Sequence, residues 1–202
     1  MLGLLKTRAA ADQMKILFAH QNYPAQFGDY GAWLARRGWD VTFATAATGA
    51  KPPPGCRMIQ MTPHREPTKG VHRFAFNLER AMINGQAFAN VAIRARDEGL
   101  NPDVVVAHSG WGSGTFAKAV WPTCKFVAYV EWYYRFPPVD GTGAERKQTD
   151  EDGRAHALSR NAATLVAVAE AELVLRTSQL PAGQFHETFA LDLNDADNGG
   201  QN

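Results

Sequence analysis

The chain has 202 residues, of which 45% are hydrophobic and 20% charged, a composition typical of a globular protein with one sizeable core. Its formal net charge of +1 provides no electrostatic basis for binding nucleic acid. The two cysteines, Cys56 and Cys124, fit no metal or redox spacing, so we expect reduced thiols in a cytoplasmic protein. No apolar run approaches membrane-spanning length, so we expect no transmembrane segment and leave peripheral membrane contact open.

Short apolar runs alternate with helical patterns from Met14 onward, and we interpret residues 1–13 as an N-terminal extension. The first half of the pattern predicts a strand, a helix ended by Gly38, two strands and a long helix, over residues 16–19, 26–37, 41–45, 57–61 and 73–98. The third strand is the least apolar, so we expect it at an edge of the sheet. One stripe of the long helix is predicted to cover the sheet: Phe74, Leu78, Ala81, Met82, Gly85, Phe88, Ala89 and Ala92.

The second half of the pattern repeats this alternation. It predicts a strand, a short helical segment, a strand, a long loop and a final strand, over residues 103–107, 115–120, 125–130, 132–150 and 172–177. Before the final strand, a single amphipathic helix is predicted to bury Ala155, Leu158, Ala162, Leu165, Val166 and Ala169. The pattern ends near Pro181, so we expect one domain over residues 14–180 and a disordered tail over 181–202.

Apolar runs of four or five residues separated by helices are typical of a parallel sheet covered on both faces. We therefore predict an α/β fold, a Rossmann-like doubly wound parallel sheet of about six strands in the order 3-2-1-4-5-6. The apolar run from Val104 to Val106 is expected to form a central strand.

Two loops are expected to leave this sheet at the point where the strand order reverses, which is where doubly wound sheets bind ligands. Each begins with a histidine and is rich in polar groups or glycines. The candidates are His20, Gln21, Asn22, Gln26 and Gly28 in the first loop, and His108, Gly110, Trp111 and Gly112 in the second. An alternative remains open, in which each histidine only caps the end of its strand.

Several familiar motifs are absent from the sequence. No G-x-G-x-x-G fingerprint occurs, so a nicotinamide or flavin cofactor is not expected. No glycine is followed directly by lysine, which excludes a P-loop, and no pair of histidines has metalloprotease spacing. We therefore expect neither a cofactor nor a metal ion.

A third candidate segment, Glu131-Trp-Tyr-Tyr-Arg135, follows the fifth predicted strand at the same edge of the sheet. Its aromatic rings could stack on a sugar or a base, while Glu131 accepts hydrogen bonds from hydroxyl groups. The equally open alternative is that Trp132 and Tyr133 pack beneath the long loop.

Four stretches together resemble the N-terminal half of a family 4 glycosyltransferase of the GT-B fold, over roughly residues 14–181. They read MKILFAHQNYPAQF from Met14, RRGWDVTFAT from Arg36, PDVVVAHSGWGSG from Pro102 and EWYYR from Glu131. The resemblance implies two facing Rossmann-like domains, with the acceptor bound mainly by the N-terminal one. The reaction it implies is transfer of a sugar from a nucleoside diphosphate sugar to a hydroxyl group, with retention at the anomeric carbon and without a required metal.

The resemblance also implies roles for individual residues. His108 stands where a histidine contacts the donor sugar near the reacting carbon, which makes it the expected catalytic residue. The stretch from Gln21 to Gly28 corresponds to a loop near the donor phosphates and the acceptor. Two positions depart from the family pattern: Gly28 stands alone where many relatives have a glycine pair, and Ser113 stands where close relatives often have an acid.

The family's second, nucleotide-sugar-binding domain has no counterpart in these 202 residues. We therefore expect the chain to be inactive alone, its partners being a sugar donor, a hydroxyl acceptor and a separate C-terminal domain in glycan or polysaccharide biosynthesis. The alternative is a non-catalytic Rossmann-like module that binds a ligand or a partner protein.

Overall fold

The computed structural model describes residues 13–135 and 150–176 of the chain. Within them six parallel strands form one sheet in the order β3-β2-β1-β4-β5-β6, as the sequence predicts. The strands are β1 Lys15–His20, β2 Asp40–Thr45, β3 Cys56–Gln60, β4 Val104–His108, β5 Lys125–Val130 and β6 Leu173–Arg176. As expected, β3 lies at one edge and Val104 to Val106 lie in a central strand.

The helices are α1 Gly28–Ala35, α2 Phe76–Asp97, α3 Ala117–Val120, α4 Glu151–Ser159 and α5 Ala162–Ala169. Single 3₁₀ turns precede two of them, at Ala25–Phe27 and Ser109–Trp111. The helix predicted from residue 26 is thus shorter, because its first turn is 3₁₀. Gly38, in the turn that follows α1, has a φ of +85°, the left-handed conformation expected of it. None of the described helices is long and apolar enough to cross a membrane.

Alternate side chains of the central strands enter two separate cores, because successive residues of a strand face opposite sides of the sheet. On one side Leu17, Val105 and Phe126 are buried beneath α2, where Phe88 has no exposed surface. On the other side the buried residues are Ile16, Phe18, Val41, Phe43, Val106 and Val127, which pack against Phe27 and against Leu34 of α1. Burial on both faces is why these strands are continuous apolar runs.

The prediction of a single amphipathic helix before β6 is wrong in two respects. It is two helices, α4 and α5, separated at Arg160 and Asn161. The predicted buried stripe is also largely exposed, with 50% of Leu158, 38% of Leu165 and 40% of Val166 accessible to solvent. The residues of α5 that are buried are Ala163, Thr164, Ala167 and Val168.

Asn161, at the break between α4 and α5, explains why the chain stops and restarts there. Its amide oxygen accepts a hydrogen bond from the Tyr134 N–H at 2.7 Å, and its amide nitrogen donates to the Tyr134 carbonyl, also at 2.7 Å. This buried clamp ties the segment after β5 to the start of α5. It therefore fixes the chain that carries Glu131 and Trp132.

Candidate functional site

His20 and His108 end the neighbouring strands β1 and β4 and lie together at the carboxyl edge of the sheet. Parallel pairing of Ala19 with Ala107 places the two histidines side by side. Their ring centroids are 4.9 Å apart and the rings meet edge to face, at 85°. Both side chains are buried. The two imidazoles therefore lie side by side at the same edge of the sheet.

His108 makes a side-chain contact with Glu131, which follows β5. The Nε2 atom of His108 lies 3.0 Å from Oε2 of Glu131, and the His108 side chain is 5% exposed against 41% for Glu131. Burial lowers the pKa of His108, while the hydrogen bond and the negative charge of Glu131 act in the opposite direction. At neutral pH the ring is therefore uncharged and donates its Nε2 proton to the carboxylate, a tautomer that we assign from this hydrogen bond.

The other ring nitrogen of His108, Nδ1, is buried and has no hydrogen-bond partner of good geometry within residues 13–135 and 150–176. A side chain at Gly110 would approach it, since a Cβ built there would lie 3.7 Å from Nδ1 and 3.3 Å from Cε1. Glycine at this position thus leaves space beside the imidazole.

His20 is held in the same Nε2-protonated tautomer by the loop that follows it. The backbone N–H of Asn22 donates to Nδ1 of His20 at 2.9 Å, which leaves the proton of the neutral ring on Nε2. Burial, followed by the charge of a protonated His108, lowers the pKa of His20 to about 4. At pH 7 two neutral imidazoles are therefore in contact at the carboxyl edge of the sheet.

A cavity of about 230 Å³ opens beside His108 and is here called the His108 cavity. Four sequence-predicted residues line it: His108, Gly110, Trp111 and Glu131. A second cavity of about 410 Å³, here called the Gln21 cavity, is lined by Gln21 and Asn22. Trp111, Arg80 and Asn84 contribute to both walls, so the predicted residues fall in two adjoining cavities.

His20 and the remaining candidates lie outside these two cavities. Gln26 is exposed and its side chain interacts with the hydroxyl group of Tyr129. Gly28 is buried, and a Cβ there would lie 2.6 Å from Cβ of Pro24. Gly112 has a φ of +79°, and a Cβ there would lie 2.0 Å from the carbonyl oxygen of Ala81. For Gly28 and Gly112, close packing of the backbone is the observed reason for glycine.

Sequence reasoning missed the contribution of α2 and of the α4–α5 junction. Arg80 and Asn84 of α2 and Arg160 of the junction all line the His108 cavity. Asn84 gave a signal that could have been used, since it is a polar residue on the buried face of a long helix. Its amide nitrogen donates to the Trp111 carbonyl at 2.9 Å and so fixes the loop after β4. The two arginines belong to no motif.

Among the residues that the structure describes, no group of three or more histidine, cysteine or acidic side chains could hold a metal ion. The polar groups of the crevice instead suit an organic ligand with hydroxyl groups. Trp111, Trp132 and Tyr134 supply flat apolar surfaces, and Asn77, Asn84 and Thr164 supply hydrogen-bonding groups.

Three solved structures illustrate what the fold is similar to. The apo structure of UGT2 from Phytolacca americana matches with a TM-score of 0.50 and 11% identity, over 82% of this chain and 45% of that one. Os79 from O. sativa in complex with UDP matches with a TM-score of 0.46 and 14% identity, over 81% and 46%. The glycosyltransferase SnogD from Streptomyces nogalater matches with a TM-score of 0.40 and 17% identity, over 81% and 44%.

The likeness to the Phytolacca protein shows a shared fold, and this chain spans less than half the length of each of the three proteins. No curated protein matches the chain in sequence. The sequence model of the glycosyl transferase family 4 group matches residues 37–194, well over half of the chain. The chain therefore belongs to the glycosyl transferase family 4 group, and its sheet is a Rossmann-like N-terminal domain of the GT-B architecture.

Proposed function

We propose that the chain is the acceptor-side domain of a glycosyltransferase that moves a sugar from a nucleoside diphosphate sugar to a hydroxyl group, with retention at the anomeric carbon. Glycan or polysaccharide biosynthesis is the proposed setting. The observation that carries the proposal is the His108–Glu131 pair at the carboxyl edge of the sheet, which faces an aromatic-walled cavity. Family membership supports sugar transfer, and the pair supports a place for its chemistry.

His108 and Glu131 would act on the charge that develops at the anomeric carbon. Departure of the diphosphate leaves a sugar with oxocarbenium character, and a fixed negative charge nearby lowers the energy of that state. The neutral imidazole donates its Nε2 proton to the carboxylate and so fixes the direction of the Glu131 side chain. Glu131 is half-exposed and can present negative charge to the bound sugar.

Proton abstraction by His108 is the less suitable role. In the assigned tautomer Nε2 carries the proton, so Nδ1 is the only ring atom that could accept another. That atom is buried, and the space beside it is the small opening above Gly110. A hydroxyl group of the acceptor would have to enter this opening to be deprotonated. The geometry therefore favours electrostatic stabilisation over general base catalysis.

The cavity walls support an acceptor that carries hydroxyl groups. Trp111 and Trp132 are partly exposed and offer flat surfaces for the apolar face of a sugar ring. Asn77 and Thr164 provide amide and hydroxyl groups that can bind hydroxyl groups. The donor nucleotide and its diphosphate would be bound mainly by a facing C-terminal domain.

The test of the proposal is sugar transfer by this domain together with a supplied C-terminal domain of the family, against a panel of labelled nucleoside diphosphate sugars. We expect transfer that falls at least about 100-fold in the His108→Ala variant, the scale typical of one lost electrostatic contact in a transition state. The matched control is His64→Ala, because His64 is exposed and lies outside both cavities.

Two results would contradict the proposal. The first is ligand binding by both domains with no transfer from any donor, which would favour a non-catalytic binding module. The second is transfer that His108→Ala leaves unchanged, which would remove the His108–Glu131 pair from the reaction.

A further inference from the structure

The His108 cavity has two arginines in its wall that sugar transfer does not by itself explain. Arg80 comes from the first half of α2, and Arg160 from the junction between α4 and α5. They are distant in sequence, and the fold brings them to one cavity. The acidic residue among the described lining residues is Glu131, which is hydrogen-bonded to His108.

Each of these guanidinium groups rests on an aromatic ring. The Cζ atom of Arg80 lies 4.7 Å from the ring centroid of Phe76, and that of Arg160 lies 3.9 Å from the ring centroid of Tyr134. An aromatic face attracts the cation without using the N–H groups at the edge of the guanidinium plane. Neither arginine forms an ion pair with a carboxylate within residues 13–135 and 150–176.

The other described arginines in ion pairs provide a contrast. Arg57 pairs with Asp40, Arg65 with Glu79, Arg73 with Asp152 and Arg96 with Asp97. The two arginines of the His108 cavity are thus positioned by ring contacts, with their edge donors unused by protein carboxylates. Two such groups in one cavity match the oxygen atoms of a phosphoryl or carboxylate group.

The size of the cavity limits what it can hold. Its volume of about 230 Å³ is below the range of roughly 300–1,000 Å³ that is usual for sites enclosing a whole small-molecule ligand. A nucleoside diphosphate sugar is therefore too large to lie wholly within it. One charged end of a smaller molecule, with its remainder against Trp111 and Trp132, is a better match.

We infer that the His108 cavity binds an anionic group of the acceptor, a phosphoryl or carboxylate group, with Arg80 and Arg160 as its counter-charges. The inference rests on the proposed function, because it assumes that the domain binds a hydroxyl acceptor. It adds that this acceptor is negatively charged.

The test measures ligand binding to the 202-residue chain by ¹H–¹⁵N NMR titration at constant ionic strength. The probes are glucose 6-phosphate, glucuronate and uncharged glucose. We expect at least one anionic probe to bind about tenfold or more tightly than glucose, as charge-assisted bidentate contacts require. Arg80→Gln and Arg160→Gln should each remove most of that difference. The matched control is Arg94→Gln, which neutralises an exposed arginine on the same helix outside the His108 cavity.

Additional arms identify the source of the anionic group. Phosphatidylcholine vesicles with and without phosphatidic acid test a lipid headgroup, whereas glucose 6-phosphate tests a soluble acceptor. Binding in either arm that depends on Arg80 and Arg160 supports the inference. UDP is the third arm, and loss of UDP binding alone in the arginine variants would overturn it, because the arginines would then serve the donor diphosphate.

Equal affinity for glucose and both anionic sugars would also overturn the inference, as would an Arg94→Gln effect as large as the others. Thermal unfolding of each variant separates loss of the site from loss of the fold. The transfer assay distinguishes the two proposals. Transfer to a neutral acceptor that both arginine variants retain would overturn the charged acceptor and leave the proposed function standing. Arginine-dependent anion binding without transfer from any donor would instead contradict the proposed function.

Discussion

Nε2 of His108 lies 3.0 Å from Oε2 of Glu131, so a buried imidazole at the end of β4 faces a half-exposed carboxylate at the end of β5. The pairing of His108 with Tyr129 in the sheet brings the two residues together across neighbouring strands. The contact determines which ring nitrogen carries the proton. It also makes the charge state of His108 depend on Glu131.

Glu131→Gln should lower the pKa of His108 further. Burial already lowers this pKa, and the Glu131 carboxylate is the group that opposes the effect of burial. Glutamine keeps an oxygen that can accept the Nε2 proton but removes the negative charge. The measurement is a pH titration of the His108 ring by ¹H–¹³C NMR. The control is Asp152→Asn, an exposed acid paired with Arg73, and a higher His108 pKa in Glu131→Gln would contradict the assignment.

His20 should make the fold less stable as the solution is acidified. Its pKa is about 4 in the folded chain and about 6.5 when unfolded, so between these values the unfolded chain binds more protons. The contribution of neutral His20 is therefore fully present above pH 6.5 and is lost as the pH falls towards 4. We expect it to be about 1–3 kcal/mol, since one pKa unit corresponds to about 1.4 kcal/mol.

The measurement is urea unfolding of wild type and His20→Gln at a series of pH values. Glutamine can still accept the Asn22 N–H but does not titrate, so its free energy of unfolding should fall less between pH 6.5 and 4. His64→Gln, at an exposed position, should behave as wild type. Identical pH profiles for wild type and His20→Gln would show that His20 is not buried in its neutral form.

Gly112→Ala should destabilise the fold by about 3 kcal/mol or more, from left-handed strain of about 1–2 kcal/mol and overpacking of about 1–3 kcal/mol. The position has a φ of +79°, and its Cβ would lie 2.0 Å from the Ala81 carbonyl oxygen. Gly38→Ala separates the two effects, because Gly38 has a φ of +85° but nothing within 4 Å of its Cβ. Gly38→Ala should lower the free energy of unfolding by only about 1 kcal/mol. Equal costs in chemical denaturation would mean that the loop after β4 does not pack on α2 as described.

Asn161→Ala should lower the free energy of unfolding by about 1–3 kcal/mol, because it leaves the N–H and carbonyl groups of Tyr134 without their partner. It should also weaken binding of anionic probes in the His108 cavity, since Arg160 rests on the Tyr134 ring. Urea unfolding and the NMR titration measure the two effects. Asn90→Ala, on the exposed face of α2, is the control. Unchanged binding by a destabilised Asn161→Ala would show that the clamp does not organise the cavity.

The strands were predictable because a strand that is buried on both faces of the sheet has a continuous apolar sequence. Val104 to Val106 and the run from Ile16 to Ala19 are apolar throughout, and the strand order is the usual one of a doubly wound sheet. The place of His20 and His108 follows from the same topology. Chain order and hydrophobic pattern were sufficient for that part of the crevice.

The two helices between residues 151 and 169 were not predictable in the same way. Leu158, Leu165 and Val166 follow a helical stripe only if one continuous helix is assumed, and the break at Asn161 changes which face meets the sheet. A hydrogen-bonded amide clamp leaves no periodic signal. The presence of two arginines in the His108 cavity was not predictable for a related reason. They come together only because α2 and the α4–α5 junction pack close to each other.

Trp111 forms part of the wall that the two cavities share with Arg80 and Asn84. It stands between the His108 cavity and the Gln21 cavity, and its backbone is held by Asn84 independently of the indole ring. A smaller residue at this position would remove part of that wall and keep the hydrogen bond from Asn84 to the backbone. The size of the molecules that the two cavities can admit therefore depends in part on this one side chain.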